Sequence, residues 1–157
     1  MSPDIEIRTV GEASDLSAIR ALFEEYAAWL DVDLCFQGFA EELASLPGKY
    51  APPDGRLYLA TIDGRPAGCI ALRRLDERTG EVKRLFVRPW CRGKGLGLSL
   101  ARRIVEDARS IGYRSLVLDT LDRMASARRI YEALGFRRSE PYYANPLEGV
   151  VYMRLDL

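Results

Sequence analysis

The chain has 157 residues, enough for one domain with a real hydrophobic core. Its 23 Lys and Arg balance its 23 Asp and Glu, which argues against a protein whose main task is holding nucleic acid or an anionic membrane. It has no histidine, so Ser-His-Asp and Cys-His chemistry are excluded and the commonest metal ligand is missing.

Ile5 and Ile7 alternate with Glu6 and Arg8, the pattern of a first strand. Ser14 or Asp15 is placed to cap a helix with the apolar stripe Leu16, Ile19, Leu22, Phe23, Tyr26 and Leu30. A second, short helix is expected over Phe39 to Leu46, then a loop rich in breakers from Pro47 to Gly55. Leu57 to Ile62 and Ala67 to Arg73 read as strands joined by the hairpin signal Asp63-Gly64. Thr79-Gly80 is expected to turn the chain into a strand from Glu81 to Val87, which Pro89 ends. A helix from about Gly95 to Ile111 closes at Gly112. Leu116-Val117-Leu118 reads as a buried central strand. A helix over Arg123 to Leu134 follows, ended by Gly135, then strands near Phe136 to Tyr143 and Val150 to Leu157. The order β-α-α-β-β-β-α-β-α-β-β predicts one α/β (α+β) domain over residues 1–157, with a mixed, mainly antiparallel sheet of about seven strands and helices on both faces.

The densest signal is Val82 to Val105, which holds seven basic residues (Lys83, Arg84, Arg88, Arg92, Lys94, Arg102, Arg103) and no acidic one. At its centre, between strand and helix, sits Arg92-Gly93-Lys94-Gly95-Leu96-Gly97. The first N–H groups of a helix lack internal partners, the helix dipole adds positive charge there, and glycine lets backbone approach an anion closely. Such a turn is a phosphate cradle. The glycine spacing fits neither the dinucleotide fingerprint nor a Walker A loop.

The run Arg92, Gly95, Gly97 fits Arg/Gln-x-x-Gly-x-Gly/Ala, and Ile130-Tyr131-Glu132-Ala133-Leu134-Gly135-Phe136 is similar to Leu-Tyr-Glu-x-Leu-Gly-Phe. In both motifs, and in the order of its elements, the sequence resembles the GNAT superfamily of N-acetyltransferases. That resemblance implies an enzyme using acetyl-CoA without a metal. Backbone N–H groups of Arg92, Gly93, Lys94, Gly95, Leu96 and Gly97 would bind the pyrophosphate. The backbone of Leu85, Phe86 and Val87 would pair with the pantetheine arm, where the strands near Val87 and Leu118 splay apart. Tyr131 would protonate the departing thiolate. Where many members carry an asparagine, this chain has Met124, with Ser126 nearby to supply the hydrogen bond.

An amine acceptor has a pKa of about 10 and needs a base at neutral pH. Without histidine, that base is a carboxylate, and Asp119 and Glu81 are both placed for it. Cys91 lies within the glycine-rich segment but lacks an activating partner, and direct transfer in a ternary complex is expected instead. The acceptor groove is expected from the first two helices and the last hairpin, which carry Tyr26, Trp29, Asp31, Asp33, Phe36 and Gln37, and then Tyr142, Tyr143, Asn145 and Glu148. Aromatic walls with acidic residues would suit a small cationic amine, of a small molecule or a peptide.

Two other readings stay open: a catalytically silent acyl-CoA sensor, and a general nucleotide-phosphate binder. No nucleic-acid or membrane partner is expected, and a homodimer is compatible with such a domain. Three widely spaced cysteines suggest neither a zinc site nor a disulfide framework. With no apolar run for a signal peptide or membrane span, the expected compartment is the cytoplasm.

Overall fold

A computed structural model describes residues 2–157. Seven strands form one sheet in the order β1-β2-β3-β4-β5-β7-β6. They are β1 (Ile5–Thr9), β2 (Arg56–Ile62), β3 (Arg65–Arg74), β4 (Thr79–Val87), β5 (Ser115–Leu121), β6 (Arg137–Arg138) and β7 (Val150–Asp156). All neighbours run antiparallel except β4 and β5. Four helices cover it: α1 (Ala13–Leu30), α2 (Phe39–Ser45), α3 (Leu96–Ile111) and α4 (Ala125–Ala133). The predicted element order and sheet class hold.

The period of two along each strand sorts the core. From β2, Leu57 and Leu59 pack with Ile19, Leu22 and Phe23 of α1. Tyr58, Ala60 and Ile62 of the same strand join Leu100 and Ile104 of α3 and Tyr131 of α4. Each fully buried aliphatic side chain, such as Ile104, contributes about 1.5–3 kcal/mol.

Four local expectations are corrected. Helix α1 starts one residue before Ser14, with Glu12 as its N-cap and no side-chain cap. Asp15 sits inside the first turn, where its carboxylate accepts from the Gly11 N–H and from Arg8. Thr79-Gly80 is not a turn but the start of β4, paired with Ser115 and Leu116. The turn is Asp76–Arg78, closed by the Asp76 carboxylate on the Arg78 N–H, and a Cβ on Gly80 would come within 3.0 Å of Leu72, Leu116 and Tyr113. Helix α4 begins at Ala125 rather than Arg123, whose guanidinium instead donates to the Leu30 carbonyl. The strand expected over Phe136 to Tyr143 shrinks to Arg137–Arg138. Pro141 brings no N–H to a ladder, and the tyrosines beyond it turn toward the sheet's central carboxylates.

Two features of β4 make the site. It pairs with β5 only over Thr79–Glu81, so from Val82 onward the two strands are not hydrogen-bonded to each other. A bulge also interrupts its pairing with β3, where Lys83 opposes Ala71 and Phe86 opposes Cys69. Arg84 takes up the extra residue at φ 63°, an unusual conformation for a side chain of this size.

Candidate active site

The gap between β4 and β5 opens into two adjoining hollows that share Trp29, Leu85 and Ala127. One, of about 260 Å³, runs along Leu85, Phe86 and Val87 to the glycine-rich turn and is walled on the other side by Ser126 and Ile130. The other, of about 70 Å³, lies under Tyr26, Lys83, Asp119, Met124, Tyr131 and Asn145.

The first hollow ends at the N-terminus of α3. The first intrahelical bond of that helix runs from the Ser99 N–H to the Gly95 carbonyl, so the preceding N–H groups have no helical acceptor. Gly93 and Gly95 have φ of 81° and 75°, and a Cβ on either would meet nothing within 4 Å. Their glycine is required by backbone conformation, not by crowding. Gly97 is close-packed instead: its Cβ would lie 2.9 Å from Cδ1 of Ile130 on α4, so a side chain there would have to displace the tip of that isoleucine. Arg92 donates from Nε to the Val87 carbonyl at 3.0 Å and lies over Trp29, its guanidinium 4.8 Å from the ring centroid. Lys94 is exposed beside the turn and does not line the hollow. Cys91 does line it, and burial pushes its thiol up, away from the reactive thiolate. A helix N-terminus, two left-handed glycines and basic side chains suit a pyrophosphate, and the adjoining strand edge suits an extended amide-bearing arm.

In the second hollow, Asp119 projects from β5 where that strand has left β4. Its Oδ2 accepts from Nδ2 of Asn145 at 2.8 Å and from the Tyr143 hydroxyl. Tyr131 lies across α4 on the same hollow and is nearly buried. Burial pushes its phenol far above the ordinary value, with Tyr26 and Asp119 adding to the shift. It therefore stays protonated.

Glu81 is elsewhere. It is buried in the hydrogen-bonded part of β4 and does not line either hollow. One oxygen accepts from Nε of Arg73 at 2.7 Å and the other from the Tyr142 hydroxyl. Burial alone would raise its pKa, but Lys83, Tyr142 and Arg73 together hold the carboxyl below its ordinary value. Tyr142 is thereby turned away from the acceptor hollow, and Phe36 packs under the end of α1 without lining it. Tyr26 and Trp29 do line it, and Tyr143 reaches it through Asp119.

Lys83 and Arg84 belong to the basic run, yet the bulge carries both away from the phosphate end and buries them at the acceptor hollow. Arg84 makes a bidentate pair with Glu42, both bonds 2.9 Å. Lys83 has Oε1 of Gln37 as its hydrogen-bond partner, at 3.1 Å, and no ion pair among the described residues. Burial, aided by Arg84, pushes its pKa down to about 8. Two adjacent cations in a central strand, followed by the apolar run Leu85 to Val87, were the signal for this bulge.

The sequence pattern of the acetyltransferase (GNAT) family matches residues 18–136. An uncharacterized N-acetyltransferase of Schizosaccharomyces pombe is 41% identical over 98% of this chain and 96% of its own length. The N-acetylaspartate synthetase of Danio rerio is 35% identical over 62% of this chain but only 35% of its own length. Among solved structures, an acetyltransferase of Streptococcus agalactiae superposes with a TM-score of 0.81 at 24% identity, covering 98% of each chain. A Salmonella typhimurium protein solved with its cofactor acetyl-CoA gives 0.69 at 22% identity, over 97% of this chain and 93% of that one. The pattern match and the full-length relative agree with the split sheet and the glycine-rich helix start: the chain belongs to the GNAT family and is an acetyl-CoA-dependent N-acyltransferase.

Proposed function

We infer that the protein moves an acetyl group from acetyl-CoA to a primary amine by direct attack, with both substrates bound together. The observation that carries this reading is the continuity of the two hollows through the β4/β5 gap, with an anion cradle at one end and Asp119 beside Tyr131 at the other. Acetyl-CoA supplies the activated acyl carbon and a thiolate leaving group.

The chain's own residues do the rest. The N–H groups of Gly93 to Gly97 hold the pyrophosphate, without the expected one of Arg92, which donates to the Pro89 carbonyl, and the free edge of β4 at Leu85 to Val87 holds the arm. Ser126, on the wall of that hollow, is a hydroxyl within reach of the arm's amides, where Met124 offers none. Asp119 takes a proton from the acceptor ammonium, directly or through water, and its orientation is set by Tyr143 and Asn145. The amine nitrogen then forms a bond to the acyl carbon, the carbon–sulfur bond breaks with its electron pair going to sulfur, and the Tyr131 hydroxyl gives that sulfur a proton. The nitrogen, cationic after attack, loses its second proton through water, and the tyrosinate regains one by the same route, so one proton in all leaves on Asp119. Glu81 is less suited to the base role, because both its oxygens are engaged and it faces neither hollow.

The test is CoA release with a panel of amines, together with thermal unfolding with acetyl-CoA and with ATP. Stabilisation by acetyl-CoA alone plus amine-dependent release supports the reading. Stabilisation without release for any amine leaves a silent acyl-CoA sensor, and equal stabilisation by ATP leaves a general phosphate binder.

A further inference from the structure

The electrostatics of the acceptor hollow are more specific than a generic amine requires. Six charged groups stand in or behind its wall: Lys83, Arg84, Glu42, Asp119, Glu81 and Arg73. Arg84 and Glu42 cancel as a bidentate pair with almost no solvent exposure. Glu81 and Arg73 cancel as a second pair behind β4. What remains is one cation and one carboxylate, Lys83 and Asp119, lining the same small cavity from opposite sides of the strand gap. Lys83 is 9% exposed, and the neutral amide oxygen of Gln37 is its hydrogen-bond partner. Burying an ammonium without an anion is costly, and no anion lies within ion-pair distance among the described residues. A ligand can supply one.

A hollow with one unmatched positive group and one negative group is complementary to a zwitterion. It does not match a simple cationic amine, which would meet Lys83 as a like charge. We propose that the acceptor is a free amino acid whose ammonium faces Asp119 and whose carboxylate pairs with the Lys83 ammonium beside Gln37. This rests on the reading of the cavity as the acceptor site of acetyl transfer. Gln37 has a positioning role: its Oε1 accepts from both Lys83 and Arg84 (2.9 Å), and its Nε2 donates to the Tyr143 hydroxyl at 3.0 Å, so it links the carboxylate end to the Asp119 end. Tyr26, Trp29 and Leu34 would meet the acceptor's side chain.

The experiment compares matched acceptors by CoA release: the common L-amino acids, their carboxamides and their decarboxylated amines. The expected result is that at least one amino acid turns over with a kcat/KM tenfold or more above its carboxamide and amine, whose carboxylate is lost. Lys83→Met should then raise KM for that amino acid at least tenfold with kcat changed far less, Lys83→Arg should restore part of it, and stabilisation by acetyl-CoA should be unchanged in both. Equal or better turnover of carboxamides, amines or peptide amides overturns the carboxylate site while leaving acetyl transfer intact. Absence of CoA release from every class, in protein that acetyl-CoA stabilises, overturns both. The wild-type comparison decides the matter even should the Lys83 variants fold poorly.

Discussion

Nδ2 of Asn145 lies 2.8 Å from Oδ2 of Asp119, and the Tyr143 hydroxyl donates to the same oxygen. Two donors from the segment between β6 and β7 therefore fix a carboxylate on β5, while Oδ1 accepts from no group among the described residues. A carboxylate held by one oxygen and open at the other is arranged to take a proton. Asp119→Asn should lower kcat about 10²–10⁴-fold without changing the stabilisation by acetyl-CoA. Asn145→Ala, which removes one of the two donors on the carboxylate together with the turn bond from the Leu147 N–H, should cost less, on the order of tenfold. Wild-type turnover in Asp119→Asn would remove it as the base.

Tyr131→Phe should reduce kcat by on the order of 10²-fold with acetyl-CoA affinity intact, because the ring still fills its place against Phe136, 5.5 Å away between centroids. Burial raises the phenol's pKa, so the wild-type enzyme should show no alkaline loss of activity from this group through pH 10. Turnover preserved within about twofold would rule out proton donation by Tyr131.

How far the sequence was legible depended on whether a signal was local. The α3 start is a local signal: glycines at 93, 95 and 97, each needed for a conformation or a contact that a side chain would disturb. The same holds for Tyr131, whose helix carries its own motif, and for the period-two faces of β2 and β3. What was not legible depended on long-range pairing. Glu81 and Asp119 look alike as strand-borne carboxylates, and only the point at which β5 leaves β4 separates them. Arg73 and Tyr142, which occupy Glu81, are 8 and 61 residues away from it. Tyr142 and Tyr143 are adjacent in sequence, yet one serves each carboxylate. Lys83 and Arg84 were read with the basic run because composition ignores direction, whereas the bulge turns them to the opposite end of the gap.

Arg84 holds a left-handed conformation in mid-strand, and its pair with Glu42 is what anchors it there. Both side chains are nearly inaccessible, at 2% and 4%. Glu42→Ala leaves a buried guanidinium without its carboxylate and should destabilise the fold by about 3–5 kcal/mol. Glu25→Ala breaks a similar bidentate pair with Arg88, but Glu25 is 42% exposed, and the cost should be below about 1 kcal/mol. Urea unfolding of the two variants measures the contrast, and equal losses would show that the bulge does not depend on the Glu42 pair.

The cradle should be sensitive to conformation before it is sensitive to charge. Gly95 caps α3 at φ 75° with open space where a Cβ would point. Gly95→Ala should therefore cost about 1–2 kcal/mol through strain alone and weaken acetyl-CoA binding by tilting the N–H groups of the turn. Gly11→Ala, at a glycine with no left-handed φ and no neighbour within 4 Å, should change stability by less than about 0.5 kcal/mol. Unaltered acetyl-CoA affinity in Gly95→Ala would show that the turn does not hold the pyrophosphate.

Lys83 should leave a signature in the pH dependence of stability. Its pKa in the folded protein falls to about 8 through burial and the like charges of Arg84 and Lys49, opposed by Glu81 and Asp119, against about 10.4 in an unfolded chain. Between these values the unfolded state binds more protons, so Lys83's contribution to stability must rise with pH across that window. The cost of burying the ammonium is present in full below about pH 8 and relieved above about 10.4. The difference in unfolding free energy between wild type and Lys83→Met should therefore shift in favour of wild type as pH rises from about 7 to about 10. A constant difference would mean that the ammonium is not desolvated. An amino-acid acceptor adds a second sign. Its amine becomes a better nucleophile as pH rises, but its carboxylate loses the Lys83 charge above about pH 8, so KM should climb there even while kcat still increases. For an amine without a carboxylate both quantities should improve together, and Lys83→Arg, which stays charged, should remove the alkaline rise in KM for the amino acid.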